Sequence, residues 1–499
     1  MTSNPAQTGY SRVFMIAGRA RPDHIPSYQA MTKAGAVSQA FGDVTKIEAP
    51  DPDNYGAFIE VGRIKGATER ATVQLMGRYA SDTASELLEL ARNGCAADVQ
   101  VHFGACSDPR SFDTFTKALI LEDALITNYG TEDLGALGSD EQAKIDETVD
   151  ISAKDIYEVL PLTFAERAGT IVTNEVLDGV ICDTKSCGDC EDESSGCEKI
   201  YTITKAAGGS AGTPPDLVYS LDGGANWYAH DIDTLAAAED PNAIACLGDY
   251  LVVVSEDSGS LHYVLKSTVT ATDDPAWTEV STGLVALKGP LAMDSTGNYA
   301  FIVGEGGYIY GTSDPTAGVT VLDAGVATVD DLLDVHALSD TFAVAVGNNG
   351  AIVKTENGST WTLITAPTGA GIHYNAIWVK SEREWWIGTN TGLLYYTLDG
   401  GDNFALRSFP GSGAGAIHDI KFATNSVGYL SHATAAPLGR ILRTFNGGQS
   451  WVVLPEGIGS LPVNDRFNFV APCTYDANFI VAGGLADNAA DGIIVVGED

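Results

Sequence analysis

Four cysteines crowd into one short stretch, Cys182-x4-Cys187-x2-Cys190-x6-Cys197, among the acids Asp183, Asp189, Glu191, Asp192 and Glu193. Four thiolates hold zinc tetrahedrally, and Cys187-Gly-Asp-Cys190 has the reach for two ligands. Zinc ribbons, however, separate their two cysteine pairs by about a dozen or more residues. Two disulfides pinning an acidic loop are therefore the first reading, a structural zinc the second and free thiols the third. No βαβ pattern surrounds the pair, so a redox-active dithiol is not expected. Cys95, Cys106, Cys246 and Cys473 are scattered in apolar or strand-like contexts and read as buried thiols. Disulfides would imply oxidation after the chain leaves a reducing compartment.

Other reactive side chains are dispersed. Asp330, Asp331, Asp334 and His336 form the richest polar run, which reads as a loop entering a strand. No nucleophile motif appears, and no glycine-rich loop joins a strand to a helix. Neither a catalytic site nor a cofactor is expected, apart from the zinc alternative at the cysteines.

The elements that carry these residues repeat. Ser220-Leu-Asp222-Gly-Gly224-Ala-Asn226-Trp227 returns as Thr397-Leu-Asp399-Gly-Gly401-Asp-Asn403-Phe404 and as Thr444-Phe-Asn446-Gly-Gly448-Gln-Ser450-Trp451. Lys354-Thr-Glu356-Asn-Gly358-Ser-Thr360-Trp361 is a looser copy. Each is a polar turn between two strands that closes on a large aromatic, with a carboxylate or amide to accept backbone N–H bonds and glycines free to take positive φ. A period of about 40–50 residues indicates a propeller or an array. Short strands fall in sets of four between residues 243 and 454, giving five complete units. Incomplete sets lie at both ends, the first with its innermost strand at 176–182. A strand at 170–173 would complete the last unit and remove an open edge. Seven blades are expected, with six as the alternative.

These turns resemble the Asp-box (BNR) repeat of sialidase and photosystem-assembly-factor propellers. The resemblance implies a structural repeat on the outer rim, away from the central funnel. Sialidase chemistry would need three converging arginines, a tyrosine nucleophile with a glutamate partner, and an acid aspartate. Arg383, Arg407, Arg440, Arg443 and Arg466 do not assemble into such a cluster by their positions on strands and turns, so an enzyme is not expected. Trp227, Trp385, Trp386 and Tyr395 are candidate sugar-stacking aromatics, with blade core as their alternative fate.

The N-terminal third reads as β-rich. Strands are expected at 12–17, 43–48, 57–64, 71–79, 98–103, 115–122, 124–129 and 145–164, with 26–40 helical or irregular. One helix follows Thr83-Ala-Ser-Glu86, a capping box, with Leu87, Leu88, Leu90 and Ala91 on its apolar face and Gly94 at its end. Val99, Val101 and Phe103 alternate with Gln100 and His102, the pattern of a strand with one face in solvent. Residues 134–146 read as a polar arm.

Gly42-Asp-Val-Thr45, Pro50-Asp-Pro-Asp-Asn-Tyr-Gly56, Glu86–Arg92 with Gly94-Cys95, Asp98–His102, Ile126–Tyr129 and Asp133–Leu137 occur in that order. Over residues 10–165 the chain resembles the major tail tube proteins of long-tailed bacterial viruses. The resemblance implies a β-sandwich or barrel with one flanking helix, stacked in trimeric or hexameric rings around a lumen through which DNA passes. It implies no catalytic residue.

The fold class expected is mainly β, with a self-assembly domain at 1–165, a linker and cysteine-rich acidic loop at 166–198, and an Asp-box propeller at 199–499. The formal charge of −38 over 499 residues argues against a nucleic-acid reader or an anionic-membrane binder. No apolar run spans a bilayer, and residues 1–8 lack the basic and apolar regions of a signal peptide. The function expected is a virion tail tube subunit made in the host cytoplasm. Its partners would be copies of itself, viral DNA passing without specific binding, and host surface glycans at the propeller. The alternative is a glycan-binding or glycan-hydrolysing propeller, or another tail or capsid decoration protein.

Overall fold

The computed structural model describes strand segments between residues 11 and 160, and residues 162–498 apart from several connecting stretches, the longest being 183–196. The chain divides into two compact units, Met1–Pro161 and Leu162–Asp499.

In the first unit, strands at Ser27–Gln29, Ser11–Ala17, Ala97–Phe103, Lys117–Thr131, Asp146–Ala153, Ala71–Arg78 and Lys33–Ser38 are hydrogen-bonded in that order, and Asp155–Val159 also pairs with Lys117–Thr131. The 15-residue strand Lys117–Thr131 pairs through its first half with Ala97–Phe103 and through its second half with Asp146–Ala153. Its length lets one strand serve two sheet segments. The two end strands of this path, Ser27–Gln29 and Lys33–Ser38, are neighbours in sequence, and a link of three residues spans at most about 14 Å. The path must therefore curl back on itself.

Several expectations change here. Residues 26–40 contain two strands rather than a helix. The strands expected at 115–122 and 124–129 are one. Gln100 is fully buried, because its strand is central, with Phe14 on one side and Ile120 on the other. The helix expected at 83–94 and the arm at 134–146 lie outside the described residues. Val44–Pro50 and Phe58–Lys65 form a separate antiparallel hairpin.

The second unit is a seven-bladed propeller, each blade a four-stranded antiparallel sheet. Blade 1 runs Glu175–Ile181, Ile200–Lys205, Leu217–Ser220 and Tyr228–His230, from the axis outward. The innermost strands of blades 2 to 7 are Pro241–Leu247, Pro290–Ser295, Leu332–Ser339, Tyr374–Val379, Ala416–Phe422 and Arg466–Pro472. Blade 7 takes its outermost strand from Thr163–Arg167, paired with Gly492–Glu498. The closing strand is thus 163–167 and not 170–173, and it overlaps the first two residues of the segment read as linker, 166–198. Phe164 is buried while Thr163 and Glu166 are exposed, as suits an edge strand.

Apolar clusters cement the blade interfaces from blades 7 and 1 round to blades 5 and 6. Trp361 of blade 4 packs edge-on against Phe301 of blade 3, with centroids 5.7 Å apart. Trp451 of blade 6 packs against Trp386 of blade 5 and against Phe422. Trp227 of blade 1 lies among Phe469, Val481 and Val496 of blade 7.

Candidate functional site: the axial channel

All seven innermost strands carry a register shift near their start. An extra residue bends a strand and re-aims its neighbours. The shifts fall at Asn242, Asn375 and Asn468 in blades 2, 5 and 7, and immediately before Asp178, Asp334 and Asp419 in blades 1, 4 and 6. They turn a set of polar side chains toward the axis and the adjacent blade.

Those side chains form a closed circuit. Asp178 accepts from the Ile244 N–H at 3.1 Å, and the Asn242 amide donates to the Pro290 carbonyl at 3.1 Å. Asp294 accepts from the Ala337 N–H and Asp334 from the Ile377 N–H, both at 2.7 Å. Asn375 donates to the Ile417 carbonyl at 3.2 Å, and Asp419 accepts from the Val470 N–H at 2.9 Å. Asn468 completes the ring by donating to the Val176 carbonyl of blade 1 at 2.8 Å. Each blade therefore reaches the next through one aspartate or asparagine. The donor and acceptor roles follow the chemistry: carboxylates meet N–H groups, amides meet carbonyls.

These residues surround an axial cavity of about 1230 Å³, also lined by His336, Trp378, His418 and Lys421. His336 lies against Trp378, with ring centroids 3.9 Å apart and the ring planes tilted by 53°. Lys421 is the central counter-charge, with Nζ 3.6 Å from Asp419 and 32% of its side chain accessible. Burial works against its ammonium, but Asp419, Asp178, Asp294 and Asp334 more than offset this and raise its pKa. Burial raises the Asp178, Asp334 and Asp419 carboxyls above the usual range, against the opposing pull of Lys421. At the blade 6–7 side, burial and then Arg466 depress His418 to about 4. The four aspartates and three asparagines that line the channel are spent on blade-to-blade bonds.

The repeat residues lie elsewhere, in the turns leading into the outermost strands. Asp222 Oδ1 accepts from Ser220 at 2.9 Å and from the Asn226 N–H at 2.8 Å, and the Gly224 N–H donates to Ser220 Oγ. Asp399 and Asn446 repeat this with Thr397 and Asn403, and with Thr444 and Ser450. Gly401 and Gly448 have φ of 94° and 93°, and a side chain there would run into the rings of Trp385 and Trp386. Phe404 is half-buried between blades 4 and 5. The blade 4 turn departs from its expected form. Asn357, not Glu356, accepts from the Thr360 N–H at 2.8 Å, while exposed Glu356 pairs with Lys354 at 2.9 Å. Gly358 has φ of 74°, and the turn is one residue shorter than the others. Blade 3 holds an unforeseen relative, in which Asp314 accepts from the Thr316 N–H at 2.9 Å.

The cysteines pair across blades. Cys182 bonds Cys246 of blade 2, and Cys197 bonds Cys473 of blade 7. Cys246 and Cys473 are not free thiols, and with Cys182 and Cys197 bonded to them the crowded set forms neither two disulfides among its own four members nor a four-cysteine zinc site. Cys182 and Cys197 close the base of the loop, where neighbouring blades come within Cα distances of 5.9 and 5.8 Å. Cys187 and Cys190, with Cys95 and Cys106, lie outside the described residues.

Of the proposed sugar-stacking aromatics, Trp385 and Trp386 are almost wholly buried, and Trp227 and Tyr395 are buried as well. Arg443, also buried, donates to the Ala477 carbonyl and stacks on Phe445. Asp330 and Asp331 bind Asn349, Asn348 and the Gly306 N–H, tying loops of blades 3 and 4, whereas Asp334 and His336 enter the channel.

The axial ring escaped the sequence reading because its members alternate between two residue types. An aspartate or asparagine recurring within each blade's first strand was the available signal.

No family model and no curated protein matches the chain. Among solved structures, it is similar to "YCF48 bound to D1 peptide", with 16% identity and a TM-score of 0.51, covering 68% of this chain and 96% of that one. It is also similar to YCF48 from Cyanidioschyzon merolae, with 15% identity and a TM-score of 0.50, covering 67% and 99%. The likeness is one of fold: a seven-bladed propeller.

Proposed function

We propose that this chain is a virion tail tube subunit whose N-terminal unit assembles into stacked rings around a DNA-conducting lumen and whose propeller is displayed outside. The observation that carries this reading is the hairpin Val44–Pro50 with Phe58–Lys65, which pairs with no third strand among the described residues. A lone two-stranded hairpin is marginal in water, and its unpaired edges are templates for strands of another chain. Repeating that pairing around a symmetry axis closes a ring. The ordered segments between Gly42 and Leu137 that resemble tail tube proteins add support, and the first of them runs into this hairpin. The propeller then serves as a surface module on a self-assembling base.

Electron microscopy of the purified full chain tests the proposal. Rings or tubes are expected, and Ile47→Pro with Ile64→Pro, both within the hairpin, should abolish them while propeller circular dichroism persists. Dispersed monomers of the native chain would overturn it. Lectin or sialidase activity in such monomers would favour the glycan-directed alternative, which the burial of Trp227, Trp385, Trp386 and Tyr395 disfavours.

A further inference from the structure

We infer that the Cys197–Cys473 disulfide is a redox latch that keeps the propeller closed when its non-covalent closing strand is disturbed. The closing strand, Thr163–Arg167, begins two residues after the end of the first unit at Pro161. A pull transmitted along the chain from that unit reaches this strand first. It is held by five pairings to Gly492–Glu498, by the Thr163 hydroxyl on the Glu498 carbonyl at 3.1 Å, and by Phe164, whose buried ring lies over Gly497.

Without that strand, blade 7 has three strands and the seam between blades 7 and 1 bears the load. Non-covalent contacts at this seam are Asn468 on the Val176 carbonyl, the Arg466–Glu175 ion pair, and the cluster around Trp227 and Phe469. Cys197 stands just before the second strand of blade 1, and Cys473 just after the innermost strand of blade 7. Their bond crosses the seam and joins residues 276 apart in sequence, so blades 2 to 6 lie within one covalent circle. Neither cysteine lies on the closing strand. Cys182–Cys246 joins blades 1 and 2, does not cross the seam, and is an internal control.

Opening the latch is a two-electron exchange with a dithiol reductant. One reductant thiolate attacks a sulfur of the pair, the S–S bond breaks, and the other cysteine leaves as a thiolate that takes a proton. The second reductant thiol then resolves the mixed disulfide, freeing the second cysteine. The dithiol becomes a disulfide, and two electrons and two protons reside on Cys197 and Cys473. The latch does not depend on the tube reading, since it concerns closure of the propeller alone.

Peptide mapping of the alkylated, unreduced full chain should recover Cys197 linked to Cys473, and its absence would overturn the proposal. Amide exchange in Gly492–Glu498 is then compared in the native chain, Cys473→Ser and Cys246→Ser, each with and without Phe164→Ala. With the latch intact, Phe164→Ala should accelerate exchange in that strand by about threefold, and by at least about thirtyfold in Cys473→Ser. Cys246→Ser should behave like the native chain. Equal acceleration in all three backgrounds would refute the latch, as would an effect of Cys246→Ser matching that of Cys473→Ser. Should Cys473→Ser fail to fold, Cys197→Ser removes the same bond from its other end and supplies the same comparison.

Discussion

At Glu356 and Asn357, one position separates a surface ion pair from the acceptor that holds a turn. Asn357→Ala should cost about 1 kcal/mol, because backbone donors lose their partner. Glu356→Ala should stay within about 0.5 kcal/mol, since its partner interaction is exposed. Urea titration of both variants checks the assignment, and the reverse order would restore Glu356 as the turn residue. Asp216 offers a pH test. It is nearly buried, and burial, then the neighbouring carboxyl of Asp231, raise it from 3.8 to about 8. A raised acid stabilises the fold below its unfolded pKa, and that contribution is lost as pH rises through the folded value. Melting temperature should therefore decline between about pH 4 and pH 8, and Asp216→Asn should flatten the decline over that interval. An unchanged slope would show that Asp216 ionises freely.

At the scale of elements, the aromatic that ends each turn mortars its blade to the preceding one. Trp451 meets both Trp386 and Phe422 and is 4% exposed. Truncating it to alanine should cost about 3–5 kcal/mol. Phe404 is smaller and only half-buried, so Phe404→Ala should cost about half as much. Denaturant midpoints at constant m-value give the comparison, and equal costs would mean that the turn rather than the interface sets the loss. The turns themselves were legible in sequence because their hydrogen bonds join residues two to four apart. Glu356 misled because an acidic residue one place early mimics the motif, and only the path of the backbone shows which side chain faces the turn.

Across the whole molecule, four aspartates and three asparagines bond the blades into a circuit around Lys421. Removing that ammonium leaves channel carboxylates without their main counter-charge. Lys421→Met should cost up to about 3 kcal/mol near neutral pH, at the low end for a buried pair because the lysine keeps partial access to solvent. Its loss raises carboxyls that burial already raises, so the variant should lose stability more steeply as pH increases above the ordinary carboxylate range. Thermal melts at several pH values decide it, and parallel profiles for the variant and the native chain would place the counter-charge elsewhere.

What the sequence determined by itself is what repeats locally: the polar turns, the four-strand period, the aromatic at each turn and thus a propeller of six or seven units. These depend on neighbours along the chain, where side-chain type and spacing carry the physics. Tertiary structure alone decided what joins distant residues. Cys182 and Cys197 look like partners for their own loop until blades 2 and 7 bring Cys246 and Cys473 beside them. The last strand of the first third reads as 145–164, but its end is a separate strand, Thr163–Arg167, that pairs with the chain's final strand, 335 residues away at Thr163 and Glu498. The axial ring exists only because seven bulged strands converge on one axis, where a carboxylate or an amide can each meet the backbone of the next blade.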